Sequence, residues 1–254
     1  MLQADVTQLG TKVQLFVDDA RVASKSGVQR RINQASKLPQ PVIEPEKPWE
    51  GNRVCTYGSV HFDTIANELH MWYASVPPKS RHDPQLRHHP RALVNYATST
   101  NGIHWEKPTL RLFSFQGSRE NNIVYDLASP SVIVDSAESD PAKRYKMLGT
   151  RGNIHEGWAA YSHDGLRWHD YPDNPVFKSQ DTLTFTRDPF SGDYLAFHKW
   201  RFKERGFSRR AVYLTTSRDM KQWTQSKLVM VPDNIDDSWA KKPGQRTEFY
   251  NMSA

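Results

Sequence analysis

The chain has 254 residues, 24% charged and 11% aromatic, which is enough material for one large folded domain and excludes a disordered chain. The formal net charge is +6, but Lys and Arg are scattered rather than gathered in a stripe, so no nucleic-acid partner is expected. Cys55 is the only cysteine, which rules out an intrachain disulfide and a cysteine metal centre. With no membrane-length apolar run and no basic-then-apolar leader, the default expectation is a cytoplasmic protein without a membrane partner.

In chain order, residues 1–48 read as a lead-in. Val13–Val17 is a strand that ends in Asp18 and Asp19, and a polar connection follows, punctuated by Pro39, Pro41, Pro45 and Pro48. Residues 49–120 hold a strand at Gly58–Asp63, a second at Glu68–Tyr73, the basic loop Lys79–Arg91, and Tyr96–Trp105. Residues 121–175 repeat that layout with Ser131–Asp135, Arg144–Gly149 and Tyr161–Trp168. Residues 176–232 repeat it again with Thr182–Phe185, the turn Arg187–Asp193, Tyr194–His198 and Tyr213–Trp223. Residues 233–254 read as a linker and, at Arg246–Tyr250, the first strand of another unit. No stretch carries a convincing helical period.

One motif organises these units. Ser99-Thr100-Asn101-Gly102, Ser162-His163-Asp164-Gly165 and Ser217-Arg218-Asp219-Met220 are each followed by a tryptophan, Trp105, Trp168 or Trp223. The tryptophans stand 63 and 55 residues apart. Asx residues bond their own backbone and Gly accepts a positive φ, so each copy predicts a tight turn between two strands. A period of that length, with four short strands per unit, predicts an all-β protein, a β-propeller with about three blades and the start of a fourth. The tryptophans are expected to pack against their own turns. Three blades and a fragment do not close a ring, so the reading expects a C-terminally incomplete propeller. Leu15, Phe16 and the Phe249-Tyr250 pair should then be exposed.

The Leu15-Phe16-Val17-Asp18-Asp19 start, the Trp49-Glu50-Gly51 segment and the recurrent Ser-x-Asp-Gly-x-x-Trp turns resemble the five-bladed propellers of the arabinanase, invertase and levansucrase superfamily, glycoside hydrolase families 32 and 43. More narrowly, the chain resembles bacterial proteins that are themselves similar to family 32 N-terminal domains. The turns also resemble the Asp-box of six-bladed sialidases, where that turn is structural. The resemblance implies a glycoside hydrolase acting on an oligo- or polysaccharide; no cofactor and no metal are expected. Its rivals are a non-catalytic carbohydrate-binding propeller and a sialidase-like enzyme with an arginine cluster and a tyrosine nucleophile.

Such chemistry needs two carboxyl groups across the scissile bond. In the resembled families the acids are an Asp on blade one, an Asp on blade two and a Glu on blade three. Residues at the starts of innermost strands line a propeller's centre. That rule selects Glu50 and Arg53 for blade one, Ser129 to Ser131 with nearby Asp126 for blade two, Asp181 for blade three and Glu248 for blade four. Asp181 and Glu248 are therefore the expected central carboxyls. Asp18, Asp19 and Glu50 compete for the third place, because blade one has no Asp-Pro-Asn-Gly-like run. Arg53, Lys199 and Arg201 are the expected substrate-binding cations. Arg187-Asp188-Pro189 matches a family 32 motif by letters, but its position between two strands reads as a hairpin turn. His88-His89, in a basic and Pro-containing loop, read as solvated rather than as metal ligands.

Overall fold

The computed structural model describes residues 19, 22–31, 33–56, 59–78, 92–151 and 155–253. Val13–Val17, Asp18, the loop Lys79–Arg91 and His88-His89 lie outside the described residues. The chain divides into two compact units, Met1–Gln40 and Pro41–Ala254. In the first, Asp19 accepts Val22 N–H on its carbonyl, while its carboxylate pairs with Lys25 and Arg30.

In the second unit the described strands form three antiparallel sheets. The first contains β1 (Val54–Cys55), β2 (Val60–Asp63), β3 (Glu68–Ser75), β4 (Leu93–Ser99) and β5 (Ile123–Tyr125). Here β1 and β2 both pair with β3, as one inner strand interrupted between them, and β4 and β5 follow outward. The second sheet runs β6 (Ala128–Val134), β7 (Tyr145–Arg151) and β8 (Glu156–Ser162), with β9 (Trp168–Asp170) and β10 (Phe177–Lys178) sharing the far edge of β8. The third is β11 (Leu183–Arg187), β12 (Tyr194–Glu204), β13 (Phe207–Ser217) and β14 (Lys227–Met230). Each is a meander whose first strand is innermost, the arrangement of a β-propeller.

Two features depart from the sequence reading. Ile123–Tyr125 pairs with β4, which carries the first sheet beyond the boundary at residue 120. Asn122 makes this possible: its side-chain amide donates to the Tyr96 carbonyl and the Tyr73 hydroxyl, fastening the returning chain to the sheet. The β12–β13 hairpin extends to Glu204↔Phe207 rather than β12 stopping at His198. Arg205 and Gly206 both have positive φ (46° and 76°), the two-residue geometry that matches strand twist. Beyond β14, residues 234–237 form a short helix, α1 (Asn234–Asp237), capped by Asp233. No described helix is long and apolar enough to cross a membrane.

The sheets are glued by two cores. Met147 and Leu148 are neighbours on β7 and point to opposite faces, as a pleated strand requires. Met147 joins Trp72, Val94 and Leu127 between the first and second sheets; Leu148 joins Leu183, Phe185 and Met220 between the second and third. A middle strand covered on both faces is continuously apolar, which explains why Met71 to Ala74 are all buried. Small hydroxyls stitch the inner strands together. Ser59 Oγ accepts Val132 N–H (2.8 Å), Ser131 Oγ accepts Phe185 N–H (3.1 Å), and Thr184 Oγ1 donates to the Met252 carbonyl (2.5 Å).

The three tryptophan-marked turns are superposable in their bonding. In the second, Ser162 Oγ accepts from the N–H groups of Asp164 and Gly165, and Asp164 Oδ1 accepts from Leu166 and Arg167. Trp168 Nε1 then donates to the Gly165 carbonyl at 3.0 Å. The same bonds join Ser99, Asn101, Gly102 and Trp105, and again Ser217, Asp219, Met220 and Trp223. The residue before the last two turn positions is left-handed in all three, Gly102 at +72°, Gly165 at +73° and Met220 at +65°. Asp164 and Asp219 are therefore turn residues.

Candidate functional site

Asp181 stands two residues before β11, and its backbone is held from several sides. Ser129 Oγ donates to the Asp181 carbonyl, with Ser129 itself at φ +50°, and Lys199 N–H donates to the Thr182 carbonyl (3.1 Å). The carboxylate makes a close ion pair with Lys199 and accepts the Tyr250 hydroxyl at 2.9 Å. Lys199 is buried, whereas the Asp181 side chain is 36% exposed, so the pair presents the carboxylate rather than the amine. Burial pushes the Asp181 pKa up, but hydrogen bonds from Lys199 and Tyr250 outweigh it and hold the group below the usual carboxylate value. Asp181 is thus ionised at neutral pH.

Tyr250 links this carboxylate to a second one. The Lys199 ammonium lies 4.5 Å, and the Arg210 guanidinium 4.9 Å, from the centre of its ring. Arg210 in turn binds Glu248 through its backbone N–H (3.2 Å) and Nη1 (2.8 Å), and Arg246 Nε lies 3.4 Å from the same carboxylate. Thr182 Oγ1 donates to the Tyr250 carbonyl (3.2 Å), laying the C-terminal run beside β11. Asp181, Lys199 and Glu248 are therefore members of one network. Sequence reasoning passed over Tyr250 and Arg210. Tyr250 lies two residues beyond Glu248, a spacing that in an extended run puts both on one side, which was the signal available.

The other expected residues lie elsewhere. Glu50 is fully buried in the turn Pro48–Glu50. Its oxygens accept Glu46 N–H (2.8 Å), Lys47 N–H (2.9 Å) and the Tyr73 hydroxyl (2.6 Å), and pair with Lys107 at 2.9 Å. Burial first, and then Glu50, push the Tyr73 pKa far above its ordinary value. Arg53 is exposed just before β1, with its carbonyl accepting Val76 N–H. Arg201 is exposed on β12, on the same face as Lys199 and opposite Arg210 in the ladder. Asp19 belongs to the first unit.

Asp188 sits in the β11–β12 hairpin, its carboxylate accepting Phe190 N–H (3.0 Å) and the Ser191 hydroxyl (2.8 Å), as the turn reading expects. The preceding Arg187 pairs with Asp135 at 2.6 Å, which also takes the Tyr194 hydroxyl. This end of β2, β6 and β11 borders a groove of about 530 Å³, toward the hairpin end of the strands and away from Asp181. Among the described residues no group of three His, Cys, Asp or Glu side chains is arranged to hold a metal ion.

Compared with protein-family models and with curated proteins by sequence, the chain gives no match. Solved structures do match. An N-acetylgalactosamine deacetylase from F. plautii, solved with blood group B trisaccharide, is similar at TM-score 0.54 and 16% identity, over 85% of this chain and 61% of that one. A fructofuranosidase from Schwanniomyces occidentalis, complexed with fructose, gives 0.48 and 18%, over 68% and 34%. A family 117 glycoside hydrolase from Zobellia galactanivorans gives 0.47 and 16%, over 75% and 50%. At these identities the likeness is one of fold alone: the chain has a β-propeller fold. It spans from about a third to three fifths of the length of these proteins.

Proposed function

We propose that this propeller belongs to an enzyme that cleaves glycosidic bonds of an oligo- or polysaccharide, with Asp181 as the ionised carboxylate at the reacting carbon and Glu248 as its partner. The observation that carries the reading is Asp181 itself. It stands at an inner-strand start, partly open to solvent, and Lys199 and Tyr250 keep it ionised, the state a nucleophile or base needs. Lys199 positions Asp181, while Arg201 and Arg53 are the cations that would orient sugar hydroxyls. Glu50, with its oxygens committed to a loop and to Lys107, is assigned to holding the turn that leads into Arg53. Asp18 and Asp19 stay in competition for the third carboxyl, and Asp19 is exposed. The fold likeness to a deacetylase solved with a trisaccharide is in keeping with a carbohydrate ligand. The five-bladed form and a fourth blade opening at Arg246–Tyr250 belong to the same proposal.

A second reading, a propeller that binds sugar without cleaving it, is favoured by one fact. Both Asp181 and Glu248 are ion-paired, whereas a general acid must keep its proton. Steady-state kinetics of the full-length protein on a panel of aryl glycosides separates the two. Asp181→Asn is expected to lower kcat/KM by about 10²–10⁴-fold with an unchanged circular dichroism spectrum. Undiminished turnover would remove Asp181 from the mechanism, and binding without turnover in the wild type would establish the second reading.

A further inference from the structure

A second constellation lies where the first and second sheets meet. There a cavity of about 330 Å³ is bordered by Leu112 and Phe113 from the irregular run before β5, and by Trp168 and His169 of β9. At its polar side are Asp126, Arg151 and Asp170. Arg151 is almost fully engaged: Nη2 donates to Asp126 Oδ1 (2.6 Å), Nη1 lies 3.3 Å from Asp170, and Nε donates to the Asp126 carbonyl (3.2 Å). Its guanidinium lies 4.5 Å from the Trp158 ring centre and 5.0 Å from that of Tyr125. Asp170 accepts Trp158 Nε1 (2.8 Å) and the Tyr125 hydroxyl as well. Asp126 differs from both. It is 8% exposed, it borders the cavity, and its Oδ2 has no hydrogen-bond partner.

Buried polar atoms are ordinarily bonded, so an orphaned carboxyl oxygen at a cavity calls for an occupant. The surroundings define its class. Arg151 already neutralises one of the two carboxylates, and no third ligand joins them among the described residues, so a bare metal ion is a poor match. Burial pushes the Asp126 pKa up, whereas for Asp170, only half-buried, hydrogen bonds from Tyr125 and Trp158 outweigh burial and keep it low. A small, half-apolar cavity that offers an aromatic wall on one side and converging polar groups on the other suits a polyhydroxylated ring, with C–H faces toward the aromatics and a hydroxyl toward the carboxyl. The volume lies at the low end of the roughly 300–1,000 Å³ typical of ligand sites, room for a single ring.

We propose that this cavity is a second saccharide site, holding one neutral sugar residue between Phe113 and Trp168 with a hydroxyl on Asp126 Oδ2. Its residues are distinct from Asp181 and Glu248, although Ser129, three residues after Asp126, donates to the Asp181 carbonyl, and the proposal does not rest on the hydrolase reading. In a hydrolase it would anchor a substrate away from the bond being cut; in a binding propeller it would add a point of attachment.

Calorimetric titration of the 254-residue chain with methyl α- and β-pyranosides of glucose, galactose and mannose, and with methyl fructofuranosides, tests it. At least one glycoside is expected to bind. Leu112→Trp, which fills the cavity, should weaken that binding at least tenfold, and His169→Ala at the exposed rim several-fold. Asp181→Asn should leave it unchanged. His169→Ala keeps the test decisive if Leu112→Trp does not fold. The proposal is overturned if none of the glycosides binds, if binding survives both cavity variants, or if Asp181→Asn abolishes it. The activity assay with Asp181→Asn reads the other site, so either proposal can fail without the other.

Discussion

Gly165 and Gly102 occupy one position of two equivalent turns, and what differs is their surroundings. Both are left-handed, so an alanine at either costs about 1–2 kcal/mol for placing a Cβ in that region. A Cβ on Gly165 would lie 2.8 Å from Trp72 Cζ2 and 3.1 Å from the Tyr145 ring. Trp72 is 1% exposed, and its indole N–H already donates to the Gly165 carbonyl at 2.7 Å, so it has no room to retreat. Forcing a methyl into such a site costs about 1–3 kcal/mol more. On Gly102 the nearest atom is Leu69 Cδ1 at 3.3 Å, the end of a partly buried side chain that can rotate. We therefore expect Gly102→Ala to lose about 1–2 kcal/mol and Gly165→Ala about 2–5 kcal/mol. Urea denaturation followed by tryptophan fluorescence gives both from the shift in midpoint at constant slope. Losses that agree within about 0.3 kcal/mol, the scatter of independent sites, would refute the claim that Trp72 locks the turn.

Two further outcomes follow from buried groups. His198 packs against Phe177 and Tyr213 with Nε2 at 2.8 Å from Ser226 Oγ, and burial lowers its pKa from 6.5 to about 4. Its folded value lies below its unfolded one, so its contribution is complete above pH 6.5 and is lost as pH falls toward 4. Urea midpoints should report about 2 kcal/mol less stability at pH 5.0 than at pH 7.5, and His198→Gln should flatten most of that slope; an unchanged slope in the variant would assign it to other groups. Glu50→Gln leaves Lys107, 6% exposed, without its buried counter-charge, and is expected to destabilise by about 3–5 kcal/mol in the same assay. A loss below about 1 kcal/mol would mean that Glu46 or solvent takes over the pairing.

The turns were legible because their chemistry is local: a hydroxyl, an Asx side chain and a tryptophan six residues from the serine complete each one without help from the rest of the chain. Met220 shows the limit of that reading. It takes the left-handed position that Gly fills in the other two copies, and it does so because its side chain is wholly buried in the core between the second and third sheets. The start of β11 was likewise readable, which is how Asp181 was singled out. Its pairing was not: Lys199 is 18 residues away and is brought in by the β11–β12 ladder, while Tyr250 is 69 away and is brought in by hydrogen bonds of the C-terminal run to Thr182 and Arg210. Glu50 and Asp181 look alike as acids before strands, and only three-dimensional packing separates a sealed carboxylate from an open one. Of the Asp126 cavity the sequence offered only Asp126 itself, as an acid near an inner-strand start, since its walls come from four segments spread over about sixty residues.

The serine hydroxyls between inner strands give the stack a direction. Ser59 completes a backbone bond for the second sheet, and Ser131 one for the third. The residue that supplies each bond and the strand that needs it lie in different repeats, so a lesion would register one repeat downstream of where it is written. Coupling of this kind is a relay between neighbours rather than a shared core. It lets each sheet change its outward-facing loops freely while committing its innermost hydroxyl to the sheet that follows.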